Sequence, residues 1–279
     1  MALTLQTLSK TEFASPPGVY FELEKVLNEE DGTFEELSKV IESDPPLAAR
    51  LLKIVNSPCY GMMGQVETIA HAIGIIGRES LAELAMVTSA VSKFDNIPRE
   101  QFDMEEFWSH SLACAFAAQL VARHKEHPKP EQLYLAGMLH DLGQLVIMME
   151  ETDKYSTVRQ MADESIDKNL VVAEKKVLRY DHAQIGGAML KEWKLPATLH
   201  EAVTYHHDPM KAPNHKDEAC ILHVAELLAY EIGFGKSCEP ALPDLHKDAI
   251  KVLNVNLGFI YKTKNQIKDE ITRAASVLS

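Results

Sequence analysis

The spacing of apolar residues is the feature of this sequence that most restricts its fold. Apolar side chains recur every three to four residues along most of the chain, and no stretch alternates apolar and polar residues between hairpin turns. The first pattern is typical of an amphipathic helix, and the second is what a half-buried strand would require. The sequence therefore predicts an all-α fold.

Residues that start and stop helices stand at the edges of these apolar segments. Thr33 and Glu36 form a capping box, in which a hydroxyl and a carboxylate each satisfy a backbone N–H group of the first turn. Asp44 and Thr68 are N-cap residues of two further helices, and Gly77 is placed to end the second of them in a left-handed conformation. The same reasoning predicts later helices at about 105–124, 131–149, 170–179, 182–193, 196–207 and 218–231.

The composition is that of a compact globular protein. Hydrophobic residues make up 46% of the 279 residues and charged residues 25%, which excludes the disordered and fibrous classes. No stretch approaches the roughly 18 uninterrupted apolar residues of a spanning helix, and the first ten residues have neither a basic region nor a long apolar one. We expect a cytoplasmic protein without a membrane partner.

Charge and cysteine content restrict the ligands. A net charge of −13 opposes the counterion release on which nucleic-acid binding depends, so we expect no direct nucleic-acid partner. The cysteines form no Cys-x-x-Cys pair, which argues against a zinc knuckle or a redox motif. We expect buried thiols in a reducing compartment. The four cysteines are Cys59, Cys114, Cys220 and Cys238.

The helical pattern is interrupted at Asp95-Asn96 and Pro98, and again by a loop rich in Gly, Pro and Ser at 233–243. These interruptions predict an N-terminal helical half at 1–95, a second helical half at 96–232 and a C-terminal helical extension at 233–279. The extension is amphipathic from about 244 to 278, and no function can be assigned to it from its sequence.

Several of the twelve histidines lie within apolar helical stripes instead of on polar faces. A single core histidine is usually hydrogen-bonded to a backbone carbonyl, and this ordinary explanation applies to each of them separately. Several buried imidazoles together with Asp141 would each need a partner of its own, whereas one metal cluster would satisfy all of them. The histidines in question are His110, His140, His182, His206, His207 and His223.

Four segments together resemble the HDOD family, a variant of the HD superfamily of metal-dependent phosphohydrolases. They are Asp44-Pro-Pro-Leu-Ala-Ala-Arg50, Phe107-Trp108-Ser-His110, Met138-Leu-His140-Asp141-Leu-Gly-Gln-Leu and His182-Ala-Gln-Ile-Gly-Gly-Ala. The resemblance covers roughly residues 13–232. It implies an HD-domain-like helical bundle with an N-terminal helical subdomain, and a bacterial signalling or scaffold role with a signalling protein as partner.

The resemblance also implies a metal site. The positions that match HD-domain ligands are His110, His140, Asp141, His182, His206 and His207, and Glu226 stands where the family carries aspartate. Asp141 would be the catalytic residue and would bridge two divalent metals ~3.5–4 Å apart. A site rich in imidazole and carboxylate suits iron, manganese, nickel or zinc better than calcium. We therefore expect a divalent transition-metal centre, mononuclear or binuclear.

Two departures from the family pattern bear on catalysis. Gln144 replaces the lysine that commonly follows the doublet, so a cation that would stabilise a transferring phosphoryl group is missing. His206-His207 is not followed by the Gly-Tyr-Pro signature of cyclic-dinucleotide phosphodiesterases. The leading hypothesis is a signalling module with weak or no catalytic activity. The alternatives are a metal-dependent phosphohydrolase acting on a phosphoester or nucleotide, and a helical scaffold without metal.

Overall fold

The computed structural model describes residues 7, 18–29, 33–56, 64–92, 94, 97, 102–234, 241, 245–256, 258–259 and 262–268. Every regular element among these residues is a helix, so the predicted all-α fold is confirmed. None of these helices is long and apolar enough to cross a membrane. The chain forms two compact units, residues 16–96 and residues 97–268. The three-part division predicted from the sequence stays a prediction.

The unit of residues 16–96 is a small helical bundle. Its helices are α1 (Gly18–Asn28), α2 (Phe34–Glu42), α3 (Pro45–Val55), α4 (Ile69–Ile76) and α5 (Arg78–Ser92). Helix α1 packs against α2 and α5, and α3 and α4 pack against each other and against α5. Leu37 and Ile41 of α2 and Leu51 of α3 are fully buried, as the helical spacing of these apolar residues requires.

The helix ends predicted in this unit are confirmed, with one difference in backbone conformation. Thr33 and Glu36 form the complete capping box of α2. The side chains of Asp44 and Thr68 each accept a hydrogen bond from a backbone N–H group in the first turn of α3 and α4. Gly77 has φ 85° and ψ 156°, which is extended backbone with positive φ and not the predicted left-handed helical turn. Since α5 begins at the next residue, the chain turns sharply there, in a region that favours glycine.

The unit of residues 97–268 is the larger bundle. Its helices are α6 (Met104–His124), α7 (Pro130–Leu139), α8 (Leu142–Glu150), α9 (Thr152–Glu164), α10 (Leu170–Val177), α11 (His182–Glu192), α12 (Ala197–Tyr205), a 3₁₀ turn (Pro209–Lys211), α13 (Lys216–Glu231) and α14 (Lys247–Leu253). Helix α6 packs along α7 and α13, α11 packs against α8 and α12, and α12 also contacts α13.

The continuous helix predicted at 131–149 is interrupted, so that prediction was wrong in detail. The chain leaves the helix at His140 and Asp141, which separate α7 from α8. The ring Nδ1 of His140 hydrogen-bonds the carbonyl of Gly137 at 2.8 Å, and Asp141 has ψ near 1°. The interruption turns both side chains away from the path of a straight helix and into the interior.

Helix α9 was not predicted from the sequence. Only Tyr155, Val158 and Ala162 of its residues are buried, and the rest of its surface is largely polar. The apolar stripe of α9 is therefore narrow, so its periodicity is weak. Packing against α8 and α10 orders this helix in spite of its sequence pattern.

The described part of the amphipathic extension predicted at 244–278 is mostly helical, and residues 245–246 and 254–256 lie outside its helices. Its first helix, α14, packs against α13, and residues 258–259 and 262–268 are also helical. The remainder of the predicted segment lies outside the described residues.

Candidate metal centre

Seven side chains from five parts of the larger unit meet in one interior pocket. Most of them stand at helix ends, where the backbone changes direction and a side chain is free of the regular helical surface. His110 lies within α6, His140 and Asp141 join α7 to α8, His182 opens α11, His206 and His207 follow α12, and Glu226 lies within α13. These are the seven ligands predicted from the sequence, and their role as ligands stays a prediction.

The first half of the pocket is formed by two imidazoles and one oxygen of Asp141. The Nε2 atoms of His110 and His140 lie 3.2 Å apart. Asp141 Oδ2 lies 3.6 Å from the first of these nitrogens and 3.3 Å from the second. All three side chains are fully buried.

The second half lies around the other oxygen of Asp141. His182 Nε2 is 3.3 Å from Asp141 Oδ1 and 2.8 Å from His207 Nε2. The rings of His206 and His207 lie against each other, with centroids 3.9 Å apart. The carboxylate of Asp141 therefore joins two groups of histidines, as the predicted bridging role would require.

Glu226 is at the far edge of this second group. Its Oε2 atom lies 3.8 Å from His207 Nδ1 and 4.0 Å from His206 Nε2. The side chain is completely buried beside the histidines. Glu226, which stands where the family resemblance implies the shorter aspartate, thus reaches the same pocket from α13.

Hydrogen bonds to the outer nitrogens orient the rings. A carbonyl only accepts hydrogen bonds, so the Nδ1 atoms of His140 and His206 must be protonated where they donate to the carbonyls of Gly137 and Val203, at 2.8 and 2.7 Å. In a neutral imidazole the Nε2 atom then carries a lone pair. These two lone pairs point into a pocket that already holds the carboxylate of Asp141.

The outer contact of His182 is a carboxylate. Glu174 Oε2 accepts hydrogen bonds from both Nδ1 and the backbone N–H of His182, at 2.8 and 3.0 Å. A carboxylate behind a histidine is the usual arrangement around metal-binding imidazoles, because it sets the tautomer and raises the basicity of the ligating nitrogen. Glu174 was not predicted as a residue of the site, although its spacing of four residues from Leu170 places it on the apolar side of α10.

The surroundings of His110, His206 and His207 favour the neutral form of the imidazole ring. Burial, assisted by the neighbouring imidazole of His140, lowers the pKa of His110 to about 4. Burial and adjacent histidines hold the pKa values of His206 and His207 well below the usual range. Neutral imidazoles are the form that binds a metal ion.

The surroundings of Asp141 and His182 favour the charged form of each side chain. Burial alone would raise the pKa of the Asp141 carboxyl, but the neighbouring His140, His182 and His110 hold it well below its usual range. Burial alone would lower the pKa of His182, but the carboxylates of Glu174 and Asp141 raise it well above its usual range. An anionic Asp141 deep in the protein needs positive charge nearby, which a proton on His182 or a metal cation would supply.

Several inward polar atoms have no hydrogen bond among the described residues. Among these residues, both oxygens of Asp141 and Nε2 of His206 are fully buried and form no hydrogen bond of good geometry, although His182 Nε2 lies 3.3 Å from Asp141 Oδ1. Such atoms are costly in a protein interior unless a ligand satisfies them. Their lone pairs and the inward-facing imidazoles fit a transition-metal cation.

Two further residues, Gln144 and His223, bear on the predicted metal site. Gln144 is fully buried, and neither its amide nitrogen nor its amide oxygen has a hydrogen-bonding partner among the described residues. His223 does not face the pocket: its Nδ1 donates to the carbonyl of His206, and its Nε2 accepts from the backbone N–H of His246. His223 is therefore one of the core histidines satisfied by the backbone.

A cavity of about 500 Å³ adjoins the histidines at His207. Its lining includes Lys175 and Lys176 of α10 together with Asp208 and His223. His207 is the least buried of the clustered histidines and therefore connects the pocket to this cavity.

Comparison with known proteins identifies the family. The family model for the HDOD domain matches residues 13–209. A protein of Treponema pallidum (strain Nichols) is 24% identical over 201 residues, which are 71% of this chain and 38% of that protein. This chain thus spans less than two-fifths of that relative.

Solved structures share the fold. A protein from Shewanella amazonensis SB2B named "Putative phosphohydrolase" superposes with a TM-score of 0.74 at 24% identity, over 99% of this chain and 97% of that one. A protein from Marinobacter aquaeolei VT8 named "Putative signal transduction protein" gives 0.70 at 21% identity, over 98% of this chain and 59% of that one. At these identities the likeness concerns the fold alone. The family match, which covers more than half of the sequence, shows that this chain belongs to the HDOD family.

Proposed function

We propose that this chain is a signalling module that binds a divalent transition metal in the pocket around Asp141. The observation that carries the proposal is the set of inward-facing Nε2 atoms around a buried carboxylate whose oxygens have no hydrogen bond within the described part of the chain. Without a metal cation, the buried charge of Asp141 would be offset only by a proton on His182, and Nε2 of His206 would stay without a hydrogen bond among the described residues. Iron, manganese, nickel and zinc are the candidates that the donor atoms favour.

The chain's own residues would act as follows. Asp141 would bind through one oxygen on the side of His110 and His140 and through the other on the side of His182. Glu174 would hold the His182 ring in place through Nδ1. A bound metal would supply Lewis acidity and lower the pKa of water.

We propose that the module has weak or no catalytic activity. Gln144 lies in the first turn of α8, three residues after Asp141, at the position where the family resemblance implies a lysine. Its neutral amide supplies no positive charge for a transferring phosphoryl group. A regulatory role is also in keeping with the Marinobacter protein, whose name refers to signal transduction. The partner we propose is a signalling protein.

A second candidate function is a metal-dependent phosphohydrolase. The observation that favours it is the cavity beside His207, because Lys176 lines it and could contact an anionic phosphoester. Lys175 also lines it but pairs with Asp181, and Asp167 and Asp208 add negative charge to the lining. Its volume of about 500 Å³ is within the ordinary range for small-molecule sites. The name of the Shewanella protein refers to the same activity.

Metal analysis tests the shared premise. Protein purified without chelator is incubated with each candidate metal and dialysed, and its bound metal content is measured by elemental mass spectrometry. We expect bound metal in the wild type and affinity at least about tenfold weaker in His140→Ala. The matched control is His71→Ala, because His71 lies on the exposed side of α4 in the other unit. Wild-type protein that retains no transition metal would contradict the proposal.

Turnover separates the two functions. The metal-loaded protein is assayed with a generic phosphodiester, phosphomonoesters and a panel of nucleotides. We expect no turnover above that of Asp141→Ala. Activity that is abolished in both Asp141→Ala and His140→Ala would instead establish the phosphohydrolase.

A further inference from the structure

We propose that His223 couples the metal centre to the C-terminal extension, so that metal binding at His206 and His207 strengthens the docking of α14. The inference deepens the proposed function and rests on it, since it names a part of the chain that responds to the metal. His223 is a positioning residue in this proposal, because it touches the backbone of a proposed ligand and not the metal. Helix α14 then differs in stability between the metal-bound and the metal-free module.

One buried ring joins the ends of two helices. His223 lies within α13, where its Nδ1 donates to the carbonyl of His206 at 2.7 Å and its Nε2 accepts from the backbone N–H of His246 at 2.9 Å. His206 is the C-cap residue of α12, and His246 is the N-cap residue of α14. Backbone groups at helix ends find no partner within their own helix. The ring therefore supplies a partner to both ends at once.

The bridge requires a donor and an acceptor in the same side chain. In a neutral imidazole one ring nitrogen donates a hydrogen bond and the other accepts one. An aliphatic side chain of similar size offers neither, whereas the amide of glutamine offers both. Leucine and glutamine at position 223 therefore separate the hydrogen-bonded bridge from simple filling of space.

Packing provides a second connection between the ligands and α14. The 3₁₀ turn Pro209–Lys211 follows closely on His207, and α12, α13 and α14 all contact this turn. A metal ion held by His206 and His207 fixes the start of the segment that leads into the turn. The surface on which α14 packs is therefore held more firmly when metal is bound.

Coupling of this kind acts in both directions. If metal strengthens the docking of α14 by a given factor, the docked helix strengthens metal binding by the same factor. Such factors are typically about 5–150-fold. Loss of the His223 bridge should therefore reduce both metal affinity and the response of α14, by factors that agree.

Hydrogen exchange of the full-length protein, with and without saturating Zn²⁺, tests the proposal. In the wild type we expect protection of peptides from 245–256 to rise at least about fivefold when Zn²⁺ binds. In His223→Leu, Zn²⁺ should still bind, with an affinity about fivefold lower, and the rise in protection should disappear. His223→Gln should restore part of both effects, because its amide can bridge the same two backbone groups.

The control removes a different contact of the same helix. The Lys125 ammonium donates to the carbonyl of Val252, near the end of α14 that lies away from His246. Lys125→Met should lower the protection of α14 equally with and without Zn²⁺. The ratio between the two states and the affinity for Zn²⁺ should stay at their wild-type values, since this contact does not involve the proposed ligands.

The wild-type comparison needs no variant, so it decides the matter even if His223→Leu fails to fold. Zn²⁺ that binds without changing the protection of 245–256 would overturn the coupling and leave the proposed metal centre intact. A full rise that persists in His223→Leu would also overturn it. Wild-type protein that binds no transition metal would overturn both the proposed function and this inference.

Discussion

At Gly143 the backbone of α8 touches the first turn of α11. A Cβ atom at this position would overlap the carbonyl oxygen of His182, and the nearest neighbouring atoms are all backbone. Only glycine permits this approach, which brings Asp141, two residues earlier, within 3.3 Å of the His182 ring. The glycine of the His-Asp-Leu-Gly segment is therefore a packing residue of the centre.

We predict that Gly143→Ala destabilises the protein and weakens metal binding. The added methyl group must push α8 and α11 apart, which costs about 1–3 kcal/mol and displaces His182. The control is Gly74→Ala, since a Cβ at that helical position meets no atom within 4 Å. Replacing an open helical glycine with alanine should stabilise the protein by about 0.5–1 kcal/mol. Both are measured by chemical denaturation, and equal effects of the two substitutions would contradict the packing argument.

Glu174 offers a second test at the scale of one side chain. We predict that Glu174→Gln lowers metal affinity by about 10–100-fold, because a neutral amide polarises the His182 ring less than a carboxylate does. The isosteric change retains an oxygen that can accept the bond from Nδ1. Affinity is measured by competition with a coloured chelator. In the control variant Glu164→Gln, which changes an exposed glutamate of α9 bonded to Gln160, affinity should stay at the wild-type value.

At the scale of the helices, residues at helix ends position most of the proposed metal ligands. His182 is the first residue of α11, and the residue before it forms a capping box with Gln184. The carboxylate of Asp181 accepts the Gln184 N–H bond at 2.8 Å and pairs with Lys175 of α10, also at 2.8 Å. The cap therefore fixes the start of the helix that presents His182.

We predict that Asp181→Ala costs about 1 kcal/mol of stability and also weakens metal binding. Fraying of the first turn would loosen the backbone of His182 as well as the helix. Asp44→Ala removes a comparable N-cap from α3 in the other unit, where Asp44 accepts the Leu47 N–H bond at 3.1 Å. It should cost a similar amount of stability and leave metal affinity unchanged. Denaturation curves and metal titrations of both variants check this, and a loss of affinity in both would show that the effect is not local to α11.

At the scale of the whole molecule, all the proposed ligands belong to the unit of residues 97–268. A cation bound by residues far apart in sequence ties α6, α8, α11 and α12 together. The energy of binding should therefore add to the folding stability of that unit first.

We predict that metal raises hydrogen-exchange protection in peptides from 104–230. At a free metal concentration of about 100 times the Kd, binding adds about 2.7 kcal/mol to the stability of the bound fold. Peptides from 34–92 should change much less, and addition of a chelator should reverse the effect. Protection that increases equally in both regions would mean that the two units open as one.

Much of this protein is determined by its sequence alone. Helical periodicity and local caps such as Thr33, Asp44 and Thr68 act over a few residues, so the all-α fold and most helix positions follow from short stretches of chain. The apolar setting of the histidines and the His140-Asp141 doublet also indicated the residues of the centre. These signals are local, and local signals can be seen in a sequence.

The tertiary structure decided what depends on neighbours distant in sequence. The interruption between α7 and α8 cannot be seen in periodicity, because it depends on where the side chains of His140 and Asp141 must point. The partnership of Glu174 with His182 and the approach at Gly143 arise from packing between helices. Burial makes each of these contacts strong, and burial is a property of the assembled bundle, not of any one segment.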